Sequence, residues 1–396
     1  MGPLCIIYSK QKEGQSMDRV GLLLNTNMLR AVLADKKTFE KVDLYVQAAR
    51  ELGVELVFFD IDGVHKRDRH IHGYTPQNGG KHYKQVVVGL PKVVHKRALY
   101  GDNVAAKNTV RWLMAQGTRV FNSFCYLGKW NLYNILSQEP TVQEHMPDTC
   151  LLTPQAYHKF QSMLNSYGEI FIKPINGTVG IGIVRVRQLN DGQICYETTT
   201  RKIVTSPENA WKRVLRNRRN GYIIQQGIPL AKFNNNRYDL RVPLQRGANG
   251  RWVVSGMVAK RAGRTPFLTN LARGGTAYKG AKVLAVSIPG ISGADLYERV
   301  ENLAFAVGEA ISKHYPYVAD LGLDIGLDES GKPWLIEANR RDQRYSFLEA
   351  GDYTAFRQLY KNPIAYAKYL LQSDLPVPGI STHLSYVVAK TLLVPQ

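Results

Sequence analysis

The stretch Asp324-Ile325-Gly326-Leu327-Asp328-Glu329-Ser330-Gly331-Lys332-Pro333-Trp334-Leu335-Ile336-Glu337-Ala338-Asn339 reads as two apolar strands around a tight turn at Asp328 to Lys332. Pairing the strands sets Asp324 opposite Glu337 and Asn339, and the last two share a face because strand side chains alternate with a period of two. Three oxygen ligands then converge. Carboxylates inside apolar strands cost on the order of several kcal/mol unless a cation or hydrogen bonds compensate them. Magnesium suits this set, because it takes one or two carboxylates together with waters and substrate phosphates, whereas zinc would ask for His or Cys.

Upstream, Phe171-Ile172-Lys173-Pro174-Ile175-Asn176-Gly177-Thr178-Val179-Gly180-Ile181-Gly182 ends a strand on a lysine and follows it with Gly177, Gly180 and Gly182. A loop so rich in glycine can wrap its backbone N–H groups around phosphate oxygens, with Lys173 at its entrance. The segment after it, Ile183 to Arg187, alternates at period two and continues as a strand, so a dinucleotide-binding strand-loop-helix unit is excluded. A Walker A loop is excluded as well. The glycine-lysine pairs at Gly80, Gly128 and Gly331 are followed by His, Trp and Pro, which offer no magnesium-binding hydroxyl.

Outward from these motifs the chain reads as mixed α/β. Val20–Asn25 and Val54–Asp60 are expected as strands around a helix at Asp43–Leu52, with a long excursion over Gly63–Lys84 and further strands at Gln85–Gly89 and Val120–Asn122. Leu132, Ile135 and Leu136 recur at helical spacing from Lys129 onward, and a second helix is expected at Gln155–Ser166. Strands at Ile170–Lys173, Ile183–Arg187 and Tyr222–Gln225 then enclose a basic helix at Pro207–Asn217. Leu240–Gln245, Trp252–Ala259 and a helix at Ala294–Lys313 complete the reading. Three units follow: an open α/β domain over 1–127, a central domain over 128–227, and a C-terminal domain over 228–396 that ends in a proline-containing tail.

With 396 residues and 44% hydrophobic content, the chain can build two or three cores. No stretch is apolar enough for a membrane span or a cleaved leader, and Cys5, Cys125, Cys150 and Cys195 lie far apart, so a reducing, cytoplasmic compartment is expected. A net charge of +20 attracts polyanions and acidic ligands. The densest basic run, Lys212, Arg213, Arg216, Arg218 and Arg219, carries no nucleic-acid motif and reads as a solvated helix face, which argues against nucleic acid and leaves an acidic polymer open. His65, His70, His72 and His82 fit no standard zinc spacing and read as a solvated loop. Arg241 and Arg273 are planar bidentate donors of the kind suited to a carboxylate.

Lys129, the Lys173 loop, Tyr222 to Ile228, Asp239-Leu240-Arg241 and Glu337-Ala338-Asn339 follow one another in an order that resembles the ATP-grasp ligases. Over nearly its full length, including Gly128-Lys129-Trp130 and Asn339-Arg340-Arg341-Asp342, the chain is similar to the YheC/YheD endospore coat-associated family of spore-forming bacteria. The resemblance implies an ATP-grasp fold, ATP and Mg2+, and a ligase that joins a small-molecule or peptide carboxylate to an amine. It further implies that Lys129 and Lys173 contact ATP phosphates, that Gln225, Gln226 and Gly227 form the adenine hinge with the Ile228 backbone, and that Glu337 and Asn339 bind magnesium. Arg261 would meet the transferring phosphoryl group, and Asn270, Arg273, Gly274 and Gly275 would hold phosphate and acceptor. Two departures stand out. Pro229, Leu230, Ala231 and Lys232 follow the hinge where an acidic ribose contact is common, and Gln225 replaces a frequent glutamate. A coat protein that keeps the fold without turnover is the competing implication.

Overall fold

The computed structural model describes residues 19–123, 128–177, 180–216, 221–263, 265 and 267–373, and these form three sheets. The expected C-terminal tail beyond 373, and Cys5, Cys125, Thr178, Val179, Arg218 and Arg219, lie outside the described residues.

The first sheet comprises β1 (Arg19–Leu23), β2 (Glu55–Phe59), β3 (Val64–His65), β4 (His70–Gln77), β5 (His82–Gly89), β6 (Val93–Lys96) and β7 (Arg119–Phe121). Its order is β3-β4-β2-β1-β6-β7, with β5 on β4, and β1, β2, β6 and β7 run parallel. Central parallel strands are covered on both faces, which is why β1 is apolar after Arg19 and why even His95 and Lys96 of β6 are buried. Gly21 marks a close approach in its centre, since a Cβ there would stand 2.9 Å from both Phe59 and Val94. One expectation fails in this lobe. Gly63–Lys84 is no loop excursion: β4 and β5 pair as an antiparallel hairpin, with Ile71, Gly73 and Thr75 turned inward and the histidines outward. Its polar composition hid an alternation of period two. The segment 85–89 is a strand as expected, part of the half-exposed outer arm of the hairpin, while the buried strand β6 between β1 and β7 was not foreseen.

The second sheet is antiparallel, with β8 (Thr149–Leu151), β9 (Glu169–Pro174), β10 (Val184–Gln188), β11 (Ile194–Glu197), β12 (Lys202–Thr205) and β13 (Tyr222–Gln226) in the order β12-β11-β10-β9-β13-β8. Helices at Tyr157–Tyr167 and Pro207–Arg216 cover one face, where Phe160, Met163 and Trp211 pack on Ile170, Ile172 and Val186. Lys212, Arg213 and Arg216 of the second helix are exposed, as expected of a solvated face.

The third sheet contains β14 (Lys232–Phe233), β15 (Asn236–Arg246), β16 (Trp252–Val254), β17 (Val258–Arg261), β18 (Thr276–Lys279), β19 (Asp320–Leu327) and β20 (Pro333–Asn339). The order is β18-β17-β15-β19-β20, with β14 and β16 also on β15. The expected strand 252–259 is broken at Gly256, whose φ of 144° suits glycine and whose Cβ would press on Ala355 at 2.9 Å. A helix at Gly293–His314, capped by Ser292, lays Leu296, Val300, Leu303 and Val307 on this sheet. The helix Lys129–Leu136 also buries Leu132, Ile135 and Leu136 in the core of the third sheet, so the chain joins the second sheet only at Thr149. A last helix, Tyr353–Gln372, shares one core with β1, β2 and β6, which joins the first and third sheets. Among the described residues no helix is long and apolar enough to cross a membrane.

Candidate active site

β15, β17, β19 and β20 carry the chemistry on one face. Strand register pairs Asp239 with Lys260 and Arg241 with Asp324, so the four side chains share that face. Lys260 Nζ lies 3.0 Å from Asp239 and 2.7 Å from Asp324 Oδ1. Arg241 grips Asp324 through Nε at 2.9 Å and Nη2 at 3.2 Å, and donates Nη1 to Asp342 at 2.9 Å. Gly322 leaves room for this pair, because a Cβ would stand 2.8 Å from Asp342 and 3.0 Å from Arg241.

Burial opposes charge on Asp324, but Arg241 and Lys260 overcome it and hold its carboxyl below the ordinary value. Asp239 goes the other way: burial raises it, Asp324 raises it further, and Lys260 offsets only part. Lys260 stays charged, since Asp239 and Asp324 outweigh the burial that would lower it.

Asp324 faces Glu337 across β19 and β20, while Asn339 is opposite Gly322 and reaches Asp324 with its Nδ2 at 3.3 Å. Glu337 is partly exposed and its Oε1 stands 3.2 Å from Lys129 Nζ, which also donates to the Gly177 carbonyl at 3.0 Å. Lys129 therefore ties the start of its helix to the glycine loop. Lys173, at the end of β9, donates to Gln225 Oε1 at 2.5 Å and lies over the Phe171 ring at 5.3 Å. Its burial pushes the ammonium down to about 8, although Glu337 pulls the other way. Gln225 passes its amide N–H to Thr149 Oγ1 at 3.1 Å. A glutamate could take the lysine but not make that donation, a physical use for the glutamine.

These groups line one cleft between the second and third sheets. It is lined by the charged groups Lys129, Lys173, Asp239, Lys260, Asp324 and Glu337 and by the apolar side chains Ile183, Ile228, Leu230 and Ile336. Gly180, Gln226 and Asn270 also line it, and Gly177, Arg241 and Asn339 line the space beside it. Gly180 and Gly182 take φ of 68° and 78°, left-handed values that favour glycine. Gly227 is a close-approach position: its N–H donates to the Glu169 carbonyl at 2.8 Å, and a Cβ would stand 2.6 Å from Glu169 Cγ.

Several expectations need correction. Arg261 pairs in register with Tyr238, a core residue, and lies over the Tyr278 ring at 5.6 Å, so it faces away from the cleft. Its neighbour Lys260, on the opposite face of β17, lines the cleft. Arg241 is committed to Asp324 and Asp342, which makes it a positioning group for Asp324 rather than an open fork. Arg273 and Gly274 are exposed at the end of a short 3-10 turn, Leu271–Arg273, capped by the Asn270 side chain. Gly275 follows them, packed against the carbonyls of Thr269 and Asn270. Asp239, Lys260 and Asp342 were not singled out from sequence as site groups, although period-two spacing from Arg241 marks Asp239.

The hard-oxygen donors of Asp324, Glu337 and Asn339, with Glu337 partly open, fit a magnesium ion better than a softer metal. Residues 117–370 match the model of the YheC/D-like ATP-grasp family. The chain belongs to that family. Two proteins of Bacillus subtilis (strain 168) are similar to it. The endospore coat-associated protein YheD is 24% identical over 306 residues, covering 75% of this chain and 66% of YheD. The endospore coat-associated protein YheC is 22% identical over 337 residues, covering 82% of this chain and 91% of YheC. Among solved structures, the ATP-grasp ligase PsnB, complexed with a phosphomimetic variant of its minimal precursor, Mg and ADP, aligns at a TM-score of 0.49 and 14% identity. That alignment covers 90% of this chain and all of PsnB. At that identity and score the likeness says nothing of chemistry. The YheC/D-like match begins at β7, so β1 to β6 fall outside it.

Proposed function

We propose that the protein is an ATP-dependent carboxylate-amine ligase that forms an amide or peptide bond through an acyl phosphate, releasing ADP and phosphate. The observation that carries this reading is the convergence of Lys129, Lys173 and Lys260 with Asp324 and Glu337 in one cleft that Ile183, Ile228, Leu230 and Ile336 also line. Apolar side chains such as Ile228 and Ile336 suit adenine, and the lysines suit the phosphates. Lys129, Lys173, Arg237 and Lys260 line the cleft with Asp239, Asp324 and Glu337, and Arg241, Arg340 and Arg341 line the space beside it, so basic groups outnumber acidic ones. That excess suits a nucleotide polyphosphate, while Asp324 and Glu337 would face its phosphates across a magnesium ion that enters with it.

Asp324, Glu337 and Asn339 would hold magnesium, which when bound neutralises charge on the phosphates. The residues of the chain supply the rest. Lys129 and Lys173 offset charge spread over the transferring oxygens, and Lys260 keeps Asp324 ionised. A substrate carboxylate oxygen attacks the γ-phosphorus, and the bond to the ADP oxygen breaks with its electron pair leaving on ADP. An amine nitrogen then attacks the acyl carbon, the bond to phosphate breaks, and the amine proton passes to solvent. The carboxylate belongs to a small molecule, a peptide or an acidic polymer.

The test is thermal stability with magnesium and a non-hydrolysable ATP analogue, comparing the native chain with a Glu337→Ala, Asn339→Ala variant. A ligand at about a hundred times its dissociation constant adds roughly 2.7 kcal/mol, and the variant should lose that gain. ADP release that requires both a carboxylate and an amine then identifies the reaction. A second reading, a coat protein without turnover, is favoured by the coat-associated names of YheC and YheD. Absence of stabilisation in the native chain would favour it over the ligase. Either way, those names support association with the spore coat after synthesis in the cytoplasm.

A further inference from the structure

The first sheet brings together three histidines that the cleft does not use. His65 on β3 and His70 on β4 are direct cross-strand partners, and His72 follows on the same face of β4. The rings lie centroid to centroid at 4.9 Å for His65 and His70, 5.0 Å for His70 and His72, and 4.0 Å for His65 and His72. His70 Nε2 and His72 Nε2 are 3.1 Å apart, and one ring nitrogen from each of the three lies within 4.8 Å of the others.

Core packing does not explain the grouping. The inward residues of β4 are Ile71, Gly73 and Thr75, and the three imidazoles are on the opposite face, none of them buried. Mutual stacking does not explain it either, because rings this close repel one another as soon as more than one is protonated. Their nitrogens point at a common space. None of the three lines the cleft between the second and third sheets.

We propose that His65, His70 and His72 bind one divalent transition cation of the borderline class, with zinc as the reference ion and a fourth position left to water or an added ligand. Three imidazole nitrogens and no carboxylate select this class over magnesium or calcium, which prefer oxygen. Zinc–nitrogen bonds of about 2.0–2.1 Å set tetrahedral ligand atoms roughly 3.4 Å apart. The 3.1 Å between His70 and His72 is close to that spacing, and a ring nitrogen of His65 lies within 4.8 Å of both. Lys66, Arg67 and Arg69 of the intervening turn are exposed, so solvent screens them and the neutral donors set the affinity. The ion would clamp β3, a strand of two residues at the edge of the sheet, onto β4, and would fix the turn between them. The grouping lies before residue 117, outside the YheC/D-like match.

The experiment is calorimetric titration of the metal-stripped full chain with zinc chloride, alongside His65→Gln, His72→Gln and His82→Gln variants. His82 sits on β5 of the same hairpin, opposite Gln77 and away from the cluster. One equivalent should bind to the native chain and to the His82→Gln variant, and this step should vanish in the His65→Gln, His72→Gln double variant. Circular dichroism checks that the double variant folds; if it does not, single His65→Gln at the short edge strand takes its place. Cobalt added to the native chain should give the strong visible absorption of tetrahedral coordination, absent in His65→Gln. Failure of the native chain to bind zinc stoichiometrically, or binding that survives loss of His65 and His72, overturns the proposal.

Discussion

Lys260 and Arg261 are neighbours in the chain and face opposite sides of β17, one toward Asp239 and Asp324, the other over Tyr278. Their substitutions should therefore separate. Lys260→Met leaves two buried carboxylates short of a cation, which costs about 3–5 kcal/mol, and it should remove most of the stabilisation given by magnesium with the ATP analogue. Arg261→Met loses a cation–ring contact worth about 0.5–1 kcal/mol and should keep that stabilisation. Thermal shifts on both variants, with and without nucleotide, check this; equal loss in the two would contradict the assignment of faces. From sequence, the oxygen cluster and the Lys173 loop were legible, because each is a short run in which residue type and spacing speak together. The choice between Lys260 and Arg261 was not. It depends on which residue of β17 meets Asp239, a register set by partners some twenty residues away.

The hairpin of β19 and β20 makes the same point for an element. Its strands, its turn and the facing of Asp324 and Glu337 were readable from alternation and the Asp-Glu-Ser-Gly-Lys turn. Its bulge was not. Ile325 pairs with Leu335 but Asp324 pairs with Glu337, so Ile336 is an extra residue. Without it, Leu335 and Glu337, two apart, would share a face; with it, Leu335 enters the core while Ile336 and Glu337 line the cleft. The turn that holds this register rests on Asp328. Its carboxylate accepts from Ser330 N at 2.9 Å, Lys332 N at 3.0 Å and Trp334 Nε1 at 2.9 Å. Asp328→Ala leaves those donors without their acceptor and should cost about 1–3 kcal/mol in urea unfolding. Because the register of Glu337 depends on the turn, nucleotide-dependent stabilisation should weaken too; a variant that unfolds earlier yet binds as before would uncouple turn and site.

Across the whole molecule, the first and third sheets are joined by a buried charge network that no local motif announces. Asp320, on the strand that also carries Asp324, accepts from Arg97 at 2.9 Å and Arg344 at 2.7 Å, and both arginines reach Glu40. Arg344 and Glu40 are 304 positions apart, so the pair is invisible to any reading of nearby residues. His95 lies against this network, 3.6 Å from Asp320, stacked on Phe121 at 4.5 Å, and wholly buried. Burial pushes its imidazole down to about 4; the contact with Asp320 offsets this in part, and Arg97 and Arg344 add to the lowering. An unfolded histidine titrates near 6.5, so between about pH 6.5 and 4 the unfolded chain binds the proton and the folded chain does not. Stability should therefore fall with pH across that window, by up to about 3 kcal/mol from this group. Asp320 and Glu40 extend the loss to lower pH, since burial raises both carboxyls but Arg344 and Arg97 hold them below their ordinary values, and their contribution disappears only as they protonate. Urea midpoints measured from pH 7 to 4 report the slope. In a His95→Phe variant the slope between 6.5 and 4 should flatten whatever the absolute stability, because the proton-binding difference is gone. An unchanged slope in that variant would assign the acid sensitivity to other groups.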